Sequence, residues 1–280
     1  MNKKFNDREF IKNWFYDHQD KIYSAIAKIE NIKISAGETN KIIDAYLNDE
    51  IPHLENVALS SFFMIIGVWQ AYKTHFLNTN MTNDELVFDI ENLKNINKLI
   101  GSYEDSRCGH IRQHKVRLKN INYMPPESWD EGFLNKKLKN FIHTINKLNN
   151  ENMQKELIAF VFNVGAEMIK EQWFPNSNNR TVSLFMNVAL LHSGLGFYYV
   201  PKEKIDEYKS LRNNFYENDN NKNVFVNFMI NDCFGSINQL KQEKSRCFLN
   251  QNDYYESEDF MNENDNNKSN TQKKSSGQGR

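Results

Sequence analysis

Gln172-Trp173-Phe174-Pro175-Asn176-Ser177-Asn178-Asn179-Arg180 is a polar stretch that runs directly into Thr181-Val182-Ser183-Leu184-Phe185-Met186-Asn187-Val188-Ala189-Leu190-Leu191. Pro175 and the Asn/Ser cluster break regular structure, and the apolar spacing that follows restores it, so the pair reads as a loop that opens a helix. Phe174 reads as a core plug under the loop. Arg180 has two readings on residue type alone, a brace for the neighbouring helix or a contact to an anion. Gln172 has no basic lone pair near neutral pH and cannot act as a general base. Asn176 offers a metal ion a carbonyl oxygen without the charge that hard cations favour.

Outward from this loop the chain reads as mostly helical. Glycine and proline are scarce, at 11 and 5 copies, and Pro52, Pro125-Pro126, Pro175 and Pro201 fall at apparent boundaries. Apolar residues recur at three-to-four spacing over Phe10 to Ile34, Ile42 to Leu47, Val57 to Leu77, Leu86 to Ile100, Leu134 to Leu148, Leu157 to Ile169, Val182 to Ser193, Lys202 to Phe215 and Val224 to Leu240. That spacing predicts about nine helices. Lys115 to Tyr123 alternates with period two instead and predicts a strand or short hairpin. From Asn262 onward no large apolar residue occurs, so the tail cannot bury enough surface to offset its ordering entropy and is expected to be disordered.

Composition bounds the function. The 280 residues include 39% hydrophobic and 13% aromatic side chains, 20 of them Phe, which is ample for a core despite a mean hydropathy of -0.73. A net charge of -1 supplies no electrostatic footprint for nucleic acid. The longest apolar run, Phe62 to Trp69, is too short to span a bilayer, and the first residues carry neither a secretory nor a transit pattern. A cytoplasmic protein is expected, with no membrane and no nucleic acid among its partners. Cys108, Cys233 and Cys247 have no metal-ligand spacing and fit thiols in a reducing compartment.

The loop resembles the Fic (Fido) family motif H-x-F-x-(D/E)-G-N-G-R-x-x-R. Phe174, Asn178 and Arg180 match. Gln172 stands at the His position, Asn176 at the acid, Ser177 and Asn179 at glycines, and Ser183 at the second Arg. Two further segments agree in order. Ile29-Glu30-Asn31-Ile32-Lys33-Ile34-Ser35-Ala36-Gly37-Glu38 is similar to the stretch in members that carry their own inhibitory helix, with Glu30-Asn31 at the end of the inhibitory motif and Ile26 where Ser or Thr is expected. Gly109-His110-Ile111-Arg112 with Lys115-Val116-Arg117-Leu118, then Asn120 and Tyr123-Met124-Pro125-Pro126, is similar to the family's flap, a hairpin that aligns a target peptide by strand addition.

The resemblance implies an all-α Fic-type fold with a small β-hairpin flap, organised as residues 1–50 with the inhibitory-like motif, a core over 51–250 and a tail over 251–280. It implies descent from enzymes that move AMP from ATP to protein hydroxyls, the motif His taking the proton and the acid holding Mg2+. In such members the loop and helix start make a nest for ATP phosphates. Carried over, Ser177, Asn178, Asn179 and Arg180 are the nucleotide-binding residues, Gln172 and Asn176 occupy the catalytic positions, Lys115 to Leu118 form the target flap, and Glu30 and Asn31 are regulatory. Asn179 replaces Gly tolerably because Asn visits positive φ, whereas Ser177 is less accommodating. With the base gone, positioned proton transfer worth on the order of 10²–10⁴-fold goes too. The expected protein binds nucleotide, holds Mg2+ weakly if at all, and transfers little or nothing. Two alternatives stand beside it: an active AMP or phosphoryl transferase using another base, with His110, His114 and His192 as candidates, and a peptide-binding interaction module.

Overall fold

The structure, a computed structural model, describes residues 3–50, 57–79, 85–118 and 121–245. Pro52, Asn120, Cys247 and the tail expected to be disordered lie outside the described residues. Contacts divide the chain into two compact units, residues 1–237 and 238–280. In the second, residues 238–245 are helical.

The first unit is built from α1 Lys3–Ile29, α2 Ala36–Leu47, α3 Leu59–Tyr72, α4 Ile90–Gly101, α5 Glu131–Asn150, α6 Gln154–Glu171, α7 Asn178–His192, α8 Ile205–Glu217 and α9 Lys222–Asp232. Several starts are written into the sequence. Ser35 caps α2 by accepting from the Glu38 amide while the Glu38 carboxylate accepts from the Ser35 amide, and Asp89 with Asn92 repeats the device on α4. Asp130 caps α5 by accepting from the Phe133 amide at 2.7 Å. α1 stops at Ile29, short of the expected Ile34, because Asn31 turns to φ 63.

α7 is buried on almost every side, which is why its sequence shows no polar face. α6 lies so close to it that a Cβ on Gly165 would meet Met186 Sδ at 2.3 Å. The N-terminal helix is part of the same core. Phe15 of α1 stacks on Tyr72 of α3 with ring centroids 5.1 Å apart and meets Phe197 at 5.3 Å.

The strand expected at 115–123 is not found: residues 115–118 and 121–123 are neither helix nor strand. Their polar groups are taken up by side chains instead of a ladder. Glu217 Oε1 accepts from the Asn122 amide at 3.2 Å, Lys115 pairs with Glu127, and Tyr123 stacks on Tyr216 at 5.7 Å. The small antiparallel sheet lies elsewhere, between β1 Gly196–Tyr198 and β2 Phe234–Ser236, with Phe197 opposite Gly235. β2 interrupts the helix expected over Val224 to Leu240. Two glycines permit the approach, since a Cβ on Gly196, at φ +150, would lie 2.1 Å from the Gly235 carbonyl oxygen.

Candidate functional site

The loop 172–180 joins the end of α6 to the start of α7. α6 ends because Gln172 takes a left-handed conformation, φ 52 and ψ 66, which costs a non-glycine residue roughly 1–2 kcal/mol. Hydrogen bonds offset that cost. Arg112 Nε donates to the Gln172 carbonyl at 2.8 Å, Asn178 Nδ2 donates to Gln172 Oε1 at 3.1 Å, and Gln172 Nε2 faces both the Ile169 carbonyl and the Tyr216 hydroxyl. The amide is therefore buried and engaged at both ends. Burial also pushes the Tyr216 hydroxyl pKa well up, so the nearest phenol has no tendency to ionise.

Asn178 staples the loop shut. Its Oδ1 accepts from the Phe174 amide at 2.9 Å and its Nδ2 donates to the Phe174 carbonyl at 2.8 Å. Phe174 itself is 1% exposed, as a core plug should be. Asn97 of α4 holds the next turn, donating to the Asn176 carbonyl at 2.9 Å and to Thr181 Oγ1 at 3.0 Å while accepting from the Gly109 amide at 2.8 Å. The left-handed residue before α7 is Ser177, φ 62, whereas Asn179, expected to be the more tolerant of positive φ, lies within the helix. Ser177 is held there by its own contacts: its amide donates to Asn176 Oδ1 at 2.7 Å and its Oγ accepts from Arg180 at 3.0 Å. The end of α4 packs against it so closely that a Cβ on Gly101 would meet Ser177 Oγ at 2.6 Å.

Arg180, 4% exposed, is the charged centre of the site. Its two terminal nitrogens donate in parallel to the two oxygens of Glu104, both at 2.7 Å, and Glu30 Oε1 lies 3.4 Å from its Nε. Burial works against the guanidinium charge, but the Glu104 hydrogen bonds and the charges of Glu30 and Glu104 outweigh it and raise its pKa. Glu104 also accepts from Asn176 Nδ2 at 3.1 Å. Beside this cluster a cavity of about 200 Å³ is lined by Glu30, Gln172 and residues 176–179, with Leu118 and Ile121 from the flap segment and Arg212 and Tyr216 from α8. The first-turn amides of α7 have no acceptor within the helix, and Asn178 and Asn179 of that turn line the cavity. Asn179 uses its side chain elsewhere, accepting from the Tyr208 hydroxyl at 2.7 Å.

The sequence-derived residues thus divide. Gln172, Asn176, Ser177, Asn178, Asn179 and Glu30 line one cavity, and Arg180 adjoins it. Asn31 stands back, its Oδ1 accepting from Lys209 Nζ at 2.7 Å. Lys115, Val116, Arg117 and Leu118 line a larger cavity of about 900 Å³ with Ile121 to Met124 and Glu217. Ser183 faces α1, in a gap of about 20 Å³ with Ile22, Ile26 and Ile29. His110, His114 and His192 line neither the loop cavity nor the flap cavity. His192 lies at the far end of α7, and His114 Nε2 sits 3.0 Å from Arg107. Cys108, near Ser177, has its thiol pushed up to about 11 by burial and the nearby Asp105, which makes it a poor nucleophile.

Glu104 and Asn97 were not singled out from the sequence. Neither sits in a motif, and only the approach of α4 to the loop gives them a role. The arrangement does not fit Mg2+. Asn176 has its oxygen occupied by the Ser177 amide and its nitrogen by Glu104, and no group of three His, Cys, Asp or Glu residues suited to a metal occurs among the described residues. At about 200 Å³ the loop cavity is smaller than the roughly 300–1,000 Å³ of pockets for drug-sized ligands.

No protein-family model matches the sequence, and no curated protein is similar to it. Solved structures are. A Fic-1 fragment from C. elegans superposes with a TM-score of 0.60 at 16% identity, over 90% of this chain and 73% of that one. A Fic domain containing signaling protein from Bacteroides thetaiotaomicron gives 0.55 at 14% identity, over 85% of this chain and 91% of its own. A Fic family protein from Desulfovibrio desulfuricans G20 gives 0.50 at 11% identity, over 90% and 76%. The chain has the Fic fold. Its described residues are predominantly helical with one two-stranded sheet, and no helix among them is long and apolar enough to cross a membrane.

Proposed function

We propose that this Fic-fold chain transfers little or no AMP and keeps a weak phosphate-sized site at the start of α7. The observation that carries the reading is Gln172. The resemblance requires a base there, and this side chain is a buried amide engaged at both ends. Labelled ATP incubated with the purified chain and a protein lysate should leave no label above background. Incorporation that disappears in Arg180→Ala would overturn the reading.

In this reading the phosphate end of a nucleotide is held by Arg180 and the first-turn amides of α7. A charge-assisted contact to phosphate is worth on the order of 1.5–3 kcal/mol, but here phosphate must displace Glu104 from the guanidinium, so Arg180→Ala should lose less, about 1 kcal/mol, of ATP and ADP affinity in calorimetric titration. Equal binding by both proteins counts against the site. Glu30 is partly exposed and single-contact, so its effect is smaller. Removing it as Glu30→Gly should tighten ATP only a few-fold, in keeping with about 0.2–1 kcal/mol for such a pair, and ADP less. Unaltered affinities for both would reduce Glu30 to a surface ion pair.

A second reading, peptide binding along the flap, is favoured by the 900 Å³ cavity at residues 115–118 and by their lying outside any strand ladder. Peptide binding indifferent to nucleotide would support it.

A further inference from the structure

Away from the loop, α1, the turn after it and the segment following β1 enclose a groove of about 730 Å³. Its floor is apolar, built from Ile32, Ile34 and Tyr199. Its rim is basic: Lys21 and Lys28 come from α1, Lys33 from the turn, and Lys202 from the far side. Lys21, Lys33 and Lys202 are exposed and pair with no carboxylate among the described residues, while Lys28 Nζ reaches only the Lys202 carbonyl at 3.5 Å. Two glutamates also line the groove. Glu38 is turned back onto the Ser35 amide and hydroxyl at 2.7 Å each, which leaves Glu203 to oppose four lysines.

We propose that this groove docks an acidic peptide of a partner protein, one carrying an apolar side chain between its carboxylates. Three separate segments place positive charge around a central apolar floor. A small anion would use one rim lysine and leave the floor wet, whereas a peptide with acids on both sides of an aromatic residue satisfies rim and floor together. The complementarity is of charge at the edge and burial at the centre, the usual anatomy of a peptide site. The site is independent of the loop cavity, so it stands or falls apart from the function proposed above.

The test is fluorescence anisotropy of the full chain with a labelled synthetic peptide that has one Phe flanked on both sides by glutamates. Binding should weaken as salt rises, because exposed charges are screened within about 10 Å at 0.1 M ionic strength. Lys21→Glu combined with Lys202→Glu should cost about tenfold or more in affinity, two exposed pairs being lost and two repulsions gained. Lys33→Glu alone is a milder check, and all three side chains are exposed, so the fold is not at stake. The proposal is overturned if the chain ignores the peptide, if the reversed variants bind as well as the native chain, or if peptides with Gln for Glu or Ala for Phe bind equally. Co-sedimentation with anionic phospholipid vesicles in the absence of peptide binding would assign the groove to a membrane surface instead.

Discussion

Gln172→His and Asn176→Asp, made together with Glu104→Gln, are expected to raise AMP transfer from ATP at least about 100-fold above the native chain, whereas the first two alone stay close to background. A positioned general base contributes about 10²–10⁴-fold, and a carboxylate at 176 supplies the charge that Mg2+ favours. Neither gain is realised unless phosphate reaches Arg180. Its two terminal nitrogens are already held by Glu104 at 2.7 Å each, the fork-to-fork geometry an incoming phosphate would need. Glutamine at 104 keeps the shape and one hydrogen bond but gives up the charge. Label incorporation from ATP reads the outcome. Should the variant with native Glu104 match the triple variant, Glu104 is not a gate. If the triple variant binds ATP and still fails to transfer, the limit lies at Ser183, which is closed in against α1 and offers no second cation.

Charge around the loop follows from the same contacts. Glu104 and Glu30 together bring two carboxylates to one guanidinium, so Arg180 is neutralised before any ligand arrives. The loop shape, by contrast, survives without glycine. Ser177 holds its left-handed backbone through two hydrogen bonds, and Asn178 closes the turn on Phe174. Backbone geometry and electrostatics have therefore separated: the loop is held in a left-handed turn without glycine, while the charge of Arg180 is spent internally.

The helices were legible because their information is local. Apolar spacing located α5 and α6 to within a few residues. The period-two stretch at 115–123 misled because alternation reports which side chains face inward and not where backbone hydrogen bonds go. Here a carboxylate takes the Asn122 amide. Motif positions put Gln172, Asn176 and Arg180 in one place, but Glu104 lies 76 residues from Arg180, in a segment after α4 that no pattern marks. A contact of that separation is a property of the packed chain. The same holds for Asn97, an unremarkable helix residue until α4 meets the loop.

Arg112→Ala is expected to lower the stability of the fold by about 3–5 kcal/mol, measured as the shift in a urea unfolding midpoint. Arg112 is fully buried, and no carboxylate pairs with it among the described residues. Its side chain instead spans three carbonyls, donating from Nε to Gln172 at 2.8 Å and from one terminal nitrogen to His114 at 2.7 Å and Glu127 at 2.9 Å. Truncation orphans those acceptors inside the protein, at about 1–3 kcal/mol each before relaxation, and releases the strained Gln172 backbone as well. Arg112→Lys should recover less than half of the loss, because an ammonium cannot reproduce a fork that reaches three directions at once. A loss below about 1 kcal/mol for Arg112→Ala would mean that water replaces the guanidinium and that the remaining contacts, among them those of Asn178 and Asn97 and the Arg112 amide to the Trp173 carbonyl, suffice to hold the loop. The full loss, with Asn178 and Asn97 intact, would show that this side chain couples the flap segment to the loop beyond the backbone bond from the Arg112 amide to the Trp173 carbonyl at 2.9 Å.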